Sequence, residues 1–317
     1  MDILREIQEA QERIKPYIRE TSLEYSSVLS KMGNCKVYLK LENQQVTGSF
    51  KIRGAMNSLI FLSTTKNKDK FITASSGNHG AAFAHGTDIL GLKGTIFLPK
   101  NASQTKIKAL EEQNVKIEFY GNDCVETETF AREYAQKNMI DFISPYNNLK
   151  IIAGQGTIGI ELEKQLRKPD FVLVPIGGGG LISGVASYLK NKFGEIEIIG
   201  CQPINSPVMY ESIKAGRIID YESKPTLSDG TAGGIEPDSI TFDYCKKYVD
   251  EYIMVSEEEI KNALRLLFKE HKLIVEGAAV LSVASFIQKI KKFQGSEVVL
   301  VISGSKINTE EFEKIIN

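Results

Sequence analysis

Cysteine and histidine are scarce in this sequence, and their placement excludes more than their number does. The four cysteines (Cys35, Cys124, Cys201 and Cys245) are widely scattered, with no C-x-x-C pair. The three histidines (His79, His85 and His271) show no zinc-ligand spacing with one another or with a cysteine. A disulfide framework and a zinc site are therefore both disfavoured, and free thiols in a cytoplasmic protein are expected. Charge imbalance is missing too. A formal net charge of −1 leaves no basic footprint for nucleic acid. The densest basic run, Lys66 to Lys70, reads as a solvated loop before a strand. No stretch approaches the run of about twenty apolar residues that a membrane span needs. The opening "MDILREIQEAQERIKPY" is charged from its second residue, unlike a signal peptide.

What is present suits a folded globular protein of substantial size. At 317 residues with 42% apolar content, the chain has enough material for two cores. Short β-branched runs alternate with longer helical stretches. Strands are predicted at 36–41, 71–75, 94–99, 115–120, 170–176, 196–201, 251–255 and 297–303. Between several of them lie helical patterns with legible starts. Asp123 is placed to cap one helix, and Ser256 followed by Glu257, Glu258 and Glu259 forms a capping box for another. Continuous apolar strands separated by helices imply parallel sheets covered on both faces, an α/β architecture with two open sheets or one very large one. No repeat or low-complexity linker divides the chain, so two lobes would be interleaved in sequence.

Three constellations carry chemistry. Gly177, Gly178, Gly179 and Gly180, then Leu181, lie directly between the strand "DFVLVP" and the helix "LISGVASYLKNKF". Such a turn presents backbone N–H groups and a helix N-terminus to an anion. One or two glycines would satisfy a tight strand-to-helix turn; four in a row exceed it. The anion is not a dinucleotide: the sixth position from Gly177 is Ile182 and from Gly178 is Ser183, so G-x-G-x-x-G fails. No G-x-x-x-x-G-K-[ST] occurs either, and a phosphate monoester remains. The second constellation is Lys51, preceded by Phe50 and followed by Arg53-Gly54-Ala55 at a helix start. A lone lysine is normally solvated, but beside a phosphate cradle it suits an aldehyde cofactor. The third is "TASSGNHG", where Ser75, Ser76, Gly77, Asn78 and His79 converge between a strand and a helix. A serine-rich N-cap explains one of the serines; the polar run through His79 favours a carboxylate ligand. His85, further along, reads as structural.

With these residues on the page, the sequence resembles the fold-type II pyridoxal-phosphate enzymes, whose fold is like that of the tryptophan synthase β subunit. Within them it is most similar to the serine/threonine dehydratase and serine racemase group. The carrying motifs are "KLENQQVTGSFKIRGA", "SSGNHG", "IAGQGTIGIE", "PIGGGGLISG", "EGAAV" and "VISGSKIN", in family order from residue 40 to residue 308. The resemblance implies two interleaved α/β lobes, each an open, mostly parallel sheet flanked by helices. Residues 1–69 and 147–317 would form the large cofactor-binding domain. Residues 70–146 would form a small mobile domain closing over the substrate.

It further implies pyridoxal 5'-phosphate as cofactor and Lys51 as the Schiff-base lysine and catalytic base. Phe50 would pack on the pyridine ring, Asn78 would bond its phenolic oxygen, and Ser303 would face its nitrogen. Gly177, Gly178, Gly179, Gly180 and Leu181 would hold the phosphate, and Ser75, Ser76 and His79 the substrate carboxylate. Glu276 matches a position near the ring. Gln202 and Val208 stand where racemase-like relatives carry acids that bind a divalent cation, so no metal site is expected. The glycine-rich "LSDGTAGGIEP" departs from the racemase-like pattern at the substrate pocket. No regulatory domain is expected after Asn317.

The expected reaction is dehydration and deamination of L-threonine or L-serine to a 2-oxo acid and ammonia, by a cytoplasmic homodimer or homotetramer. The rivals are a racemase using Ser76 as acid on the face opposite Lys51, and a dehydratase for a related acid such as hydroxyaspartate. A non-enzymatic ligand-binding protein and a nicotinamide dehydrogenase are disfavoured by the intact lysine and the failed dinucleotide fingerprint.

Overall fold

The structure is a computed structural model that describes residues 2–102 and 104–316. Among the described residues are ten strands: β1 (Leu23–Tyr25), β2 (Lys36–Lys40), β3 (Lys70–Ala74), β4 (Lys93–Leu98), β5 (Lys116–Phe119), β6 (Asp141–Phe142), β7 (Phe171–Pro175), β8 (Glu197–Pro203), β9 (Glu251–Val255) and β10 (Glu297–Val301). They form two sheets. One has six strands in the order β1-β2-β10-β7-β8-β9, the other four in the order β5-β4-β3-β6. Every described pairing is parallel except β1 with β2, which is antiparallel at the edge.

All eight strands anticipated from apolar runs are present. The two that were not anticipated, β1 and β6, have three and two residues. Segments that short carry no periodicity; pairing with β2 and β3 makes them strands. The helix starts are as expected. Asp123 accepts from Glu126 N to cap Cys124–Lys137, and Ser256 with Glu259 closes a reciprocal capping box on Glu257–His271.

The six-stranded sheet is buried on both faces. Val172, Val174, Ile198 and Val299 point to a layer with the helices Ile3–Ile14, Leu149–Leu166 and Gly180–Phe193. Their neighbours Leu173, Ile199, Val298 and Leu300 point the other way, toward Glu257–His271 and Leu281–Gln288. Alternation within one apolar run is the mark of a central parallel strand. The smaller sheet repeats this, with Phe71 and Ile96 on one face and Ile72 and Phe97 on the other.

Function enters through strand direction. The chain leaves β3 into Ser75, β7 into Ile176 and Gly177, and β10 into Ile302 and Ser303. In open α/β sheets ligands gather outside the carboxyl ends of strands, and here those ends from both sheets meet at one cleft.

Candidate active site

The cleft has a volume of about 530 Å³ and is lined from both sheets. It brings together every residue that the sequence singled out for the site: Phe50, Lys51, Ser75, Ser76, Asn78, His79, Gly177 to Leu181 and Ser303. Glu276 lines it as well.

Lys51 is the first residue of the helix Lys51–Lys66. Its Nζ donates to the carbonyl of Pro145 at 2.8 Å and lies 5.2 Å from the centre of the Phe50 ring. Burial disfavours the ammonium and brings Lys51 down to about 8, although Glu276 and Glu128 pull the other way. An amine that is neutral for a good fraction of the time near neutral pH is a competent nucleophile and base.

The helix that carries Lys51 is pinned by a buried ionic group which sequence reading did not find. The Arg53 guanidinium donates to Glu42 from Nε (2.8 Å) and Nη2 (2.7 Å), and to Glu161 from Nη1 (2.7 Å) and Nη2 (2.9 Å). Lys40 Nζ reaches Glu161 at 2.5 Å. All four side chains are essentially without solvent exposure. Two cations balance two carboxylates, and Thr21 Oγ1 donates to Glu42 at 2.6 Å, so the group is neutral and satisfied. Arg53 and Lys40 had no distinguishing sequence signal beyond sitting inside longer motifs.

Opposite Lys51, the Ser75–Gly77 turn runs into the helix Asn78–Ile89. The turn is tight: a Cβ at Gly80 would lie 1.9 Å from the Ser75 carbonyl oxygen. The His79 ring is buried, and its Nε2 donates to Ile143 O at 3.0 Å. Burial and the nearby Lys51 charge lower it to about 3, so it is neutral throughout the physiological range. With its proton on Nε2, the other ring nitrogen is an acceptor and has nothing to offer an anion.

Asn78 Nδ2 lies 2.9 Å from both oxygens of Glu276, while Asn78 Oδ1 is buried without a partner. Desolvation raises the Glu276 carboxyl to about 7.

The glycine turn joins β7 to the helix Gly180–Phe193. Gly179 has a φ of +84°, the left-handed conformation that a side chain resists. The other three are glycine because of close approach. A Cβ at Gly178 would meet the Tyr146 ring at 2.4 Å, one at Gly177 the Thr231 backbone at 2.9 Å, and one at Gly180 Tyr146 at 3.0 Å. Packing accounts for the number of glycines, and the helix start accounts for the anion site. Tyr146 and Glu128 also line the cleft and were missed, since each lies in a segment without a motif-like pattern; Asp229 and Thr231 line it too, from the glycine-rich segment 227–237 that the sequence placed at the pocket without naming them.

Gln202 is buried, its Oε1 accepting from Tyr210 N at 2.9 Å and its Nε2 donating toward Ile176 O at 3.4 Å. No cluster of three metal-ligating side chains occurs among the described residues.

A buried amine lowered to about 8, a glycine turn at a helix N-terminus and a carboxamide oxygen without a partner line one cleft, a set that suits a phosphorylated aldehyde. The residues present fit such a group. The comparisons name it. The model of the family described as "Pyridoxal-phosphate dependent enzyme" matches residues 14–304, and the chain belongs to that family. It is 41% identical over 317 residues to L-threonine ammonia-lyase of Thermotoga maritima, covering 100% of this chain and 79% of that one. It is 39% identical over 319 residues to L-threonine dehydratase catabolic TdcB of Staphylococcus aureus, covering 99% and 91%. Among solved structures, maize serine racemase superposes with a TM-score of 0.91 at 30% identity, covering 98% of this chain and 95% of that one. The cofactor is therefore pyridoxal phosphate, and the fold is that of the fold-type II enzymes anticipated from the motifs.

Proposed function

We propose that this enzyme eliminates water and then ammonia from L-threonine or L-serine, leaving a 2-oxo acid. Lys51 carries the reading: a cleft-facing amine, lowered by burial, opposite a helix N-terminus and beside an anion cradle. Relatives named as threonine ammonia-lyase and threonine dehydratase, matched along the whole of this chain, support the same reaction class.

Pyridoxal phosphate, when bound, supplies the electron sink that makes loss of the Cα proton feasible. The chain does the rest. Backbone N–H groups of Gly177 to Leu181 hold the phosphate at the N-terminus of their helix. Phe50 would pack against the ring, and Ser303, buried just beyond β10, would stand at the ring nitrogen. A neutral hydroxyl there would leave that nitrogen unprotonated, which suits β-elimination better than transamination. Ser75, Ser76 and the backbone N–H groups of the Asn78–Ile89 helix start hold the substrate carboxylate. Lys51 Nζ, free as an amine once the substrate's amino group has taken its place, would accept the Cα proton. Asn78 would bond the cofactor's phenolic oxygen; its NH2 donates to both Glu276 oxygens in the structure, so that bond requires the carboxamide to turn. Residues 70–146 act as the smaller lobe, closing over the substrate and excluding water. A cytoplasmic location and assembly as a homodimer or homotetramer belong to the same reading and come from the family resemblance.

Borohydride reduction of the holoenzyme followed by peptide mapping tests the proposal. The label is expected on Lys51, and a label on another lysine refutes the assignment.

Racemisation is a second reading, favoured by one observation: Ser76 lines the cleft together with Lys51. If Ser76 supplies a proton on the second face, Ser76→Ala abolishes loss of chirality while elimination from the L-isomer survives. Equal loss of both assigns Ser76 to carboxylate binding instead.

A further inference from the structure

The charge lining the cleft is lopsided. Glu128 and Asp229 face it, beside a Glu276 whose carboxyl is raised to about 7, and Lys51 is the one lysine or arginine among the described lining residues. Lys51 is committed to the cofactor, so it is no counter-ion for a substrate side chain. Glu128 lies on the Cys124–Lys137 helix, next to Thr127, which also lines the cleft. Thr127 offers little, because its hydroxyl is held by the carbonyls of Tyr120 and Asp123 at 2.7 and 2.6 Å.

The cation closest to hand is Arg132, one turn along, and it is spent. Its Nη2 reaches Glu128 at 2.7 Å and Glu236 at 2.6 Å, while the guanidinium lies 4.3 Å from the centre of the Phe142 ring. Asn147 donates to the second Glu236 oxygen at 2.8 Å, and Tyr146 OH accepts from Glu236 N at 2.9 Å. Arg132 is thereby held between Glu128 and Glu236, and it is not among the residues that line the cleft. What this wall presents to a ligand is a carboxylate held rigidly in place.

Resting on the reaction proposed above, we infer that Glu128 is a specificity residue that confines the enzyme to β-hydroxy amino acids with uncharged side chains and rejects those with a second carboxylate, such as 3-hydroxyaspartate. Like charges brought together in a cleft partly shielded from water repel strongly, and Arg132, one cation shared between Glu128 and Glu236, offsets only one of those two carboxylates. Threonine and serine place only a methyl group or a hydrogen beyond the reacting hydroxyl and do not meet this cost. The device selects by repulsion rather than by an added contact.

The test compares kcat/KM of the holoenzyme for L-threonine and L-threo-3-hydroxyaspartate, in the native protein and in Glu128→Gln. Discrimination against hydroxyaspartate is expected to be at least about 100-fold in the native enzyme and to fall by about 10-fold in the variant, the scale of losing one repulsive contact. Equilibrium binding of malonate and of acetate, followed by the absorbance of the bound cofactor, gives a readout independent of turnover. Malonate is expected to gain on acetate in the variant. Turnover of hydroxyaspartate within about threefold of threonine by the native enzyme overturns the inference. So does a variant that weakens both substrates in equal proportion, or one in which malonate gains nothing. Failure of the underlying reaction looks different: neither amino acid is turned over, whatever stands at position 128.

Discussion

Replacing Glu161 by glutamine isolates the buried ionic group beneath Lys51. Glu161 accepts from Arg53 at 2.7 and 2.9 Å and from Lys40 at 2.5 Å, with all three side chains out of solvent. The amide keeps the shape but removes the charge, leaving Arg53 and Lys40 to share Glu42. An uncompensated buried cation of this kind costs about 3–5 kcal/mol. For 317 residues unfolding together, with an entropy of about 2.1 cal/mol/K per residue, that corresponds to a Tm lower by about 4–8 °C. The pH dependence gives a second check. Burial pushes the Glu161 carboxyl up, but Arg53 and Lys40 outweigh burial and hold it below the ordinary carboxylate range. A lowered native pKa contributes stability that is present above the unfolded value of about 4.3 and is lost as pH falls toward the native value. The gap between native protein and Glu161→Gln should therefore be widest near pH 7 and shrink once the pH drops below about 4. Thermal unfolding by circular dichroism across this range measures both quantities. A gap under about 1 °C at pH 7, or one that does not narrow in acid, refutes the account.

Three further outcomes follow from the site. Lys51 must be neutral to react with the aldehyde, so recombination of cofactor-free protein with pyridoxal phosphate should accelerate with pH and level off just above about 8. A rate still climbing at pH 10, as for an ordinary lysine, contradicts the burial argument. Glu276, raised to about 7, favours the folded state below its unfolded pKa of about 4.3 and loses that contribution as pH rises through about 7. Glu276→Gln in the cofactor-free protein should accordingly gain Tm relative to the native chain between those limits and keep the gain at higher pH; a gain confined to acid refutes this. Gly179→Ala forces a side chain into a φ of +84° and against Met209 and Thr241 at 2.9 and 3.0 Å. Strain of about 1–2 kcal/mol at the anion cradle should weaken cofactor affinity by roughly tenfold, read by fluorescence titration, and unchanged affinity separates the turn from the phosphate site.

Much of the molecule was legible in the sequence because its signals are local. Eight strands announced themselves as β-branched runs, and Asp123 and Ser256 cap the helices that they appear to cap in one dimension. Lys51, the Ser75–His79 turn and the four glycines stood out because each sits where a strand ends or a helix begins, and such junctions have recognisable composition; Ser303 came only through the family resemblance. What tertiary structure decided depends on distance across the chain. β1 and β6 exist only through their partners. The Lys40–Glu42–Arg53–Glu161 group joins residues up to 121 positions apart, and nothing in a window around any of them reveals a buried charge. The same holds for His79, whose ring is neutralised by burial and tied to Ile143 O. Glu128 was an ordinary helix glutamate until folding set it at the cleft wall, with Arg132 drawn back toward Glu236. Residue types and junctions name the cofactor chemistry; burial and long-range pairing, which no short window contains, set which charges a substrate meets.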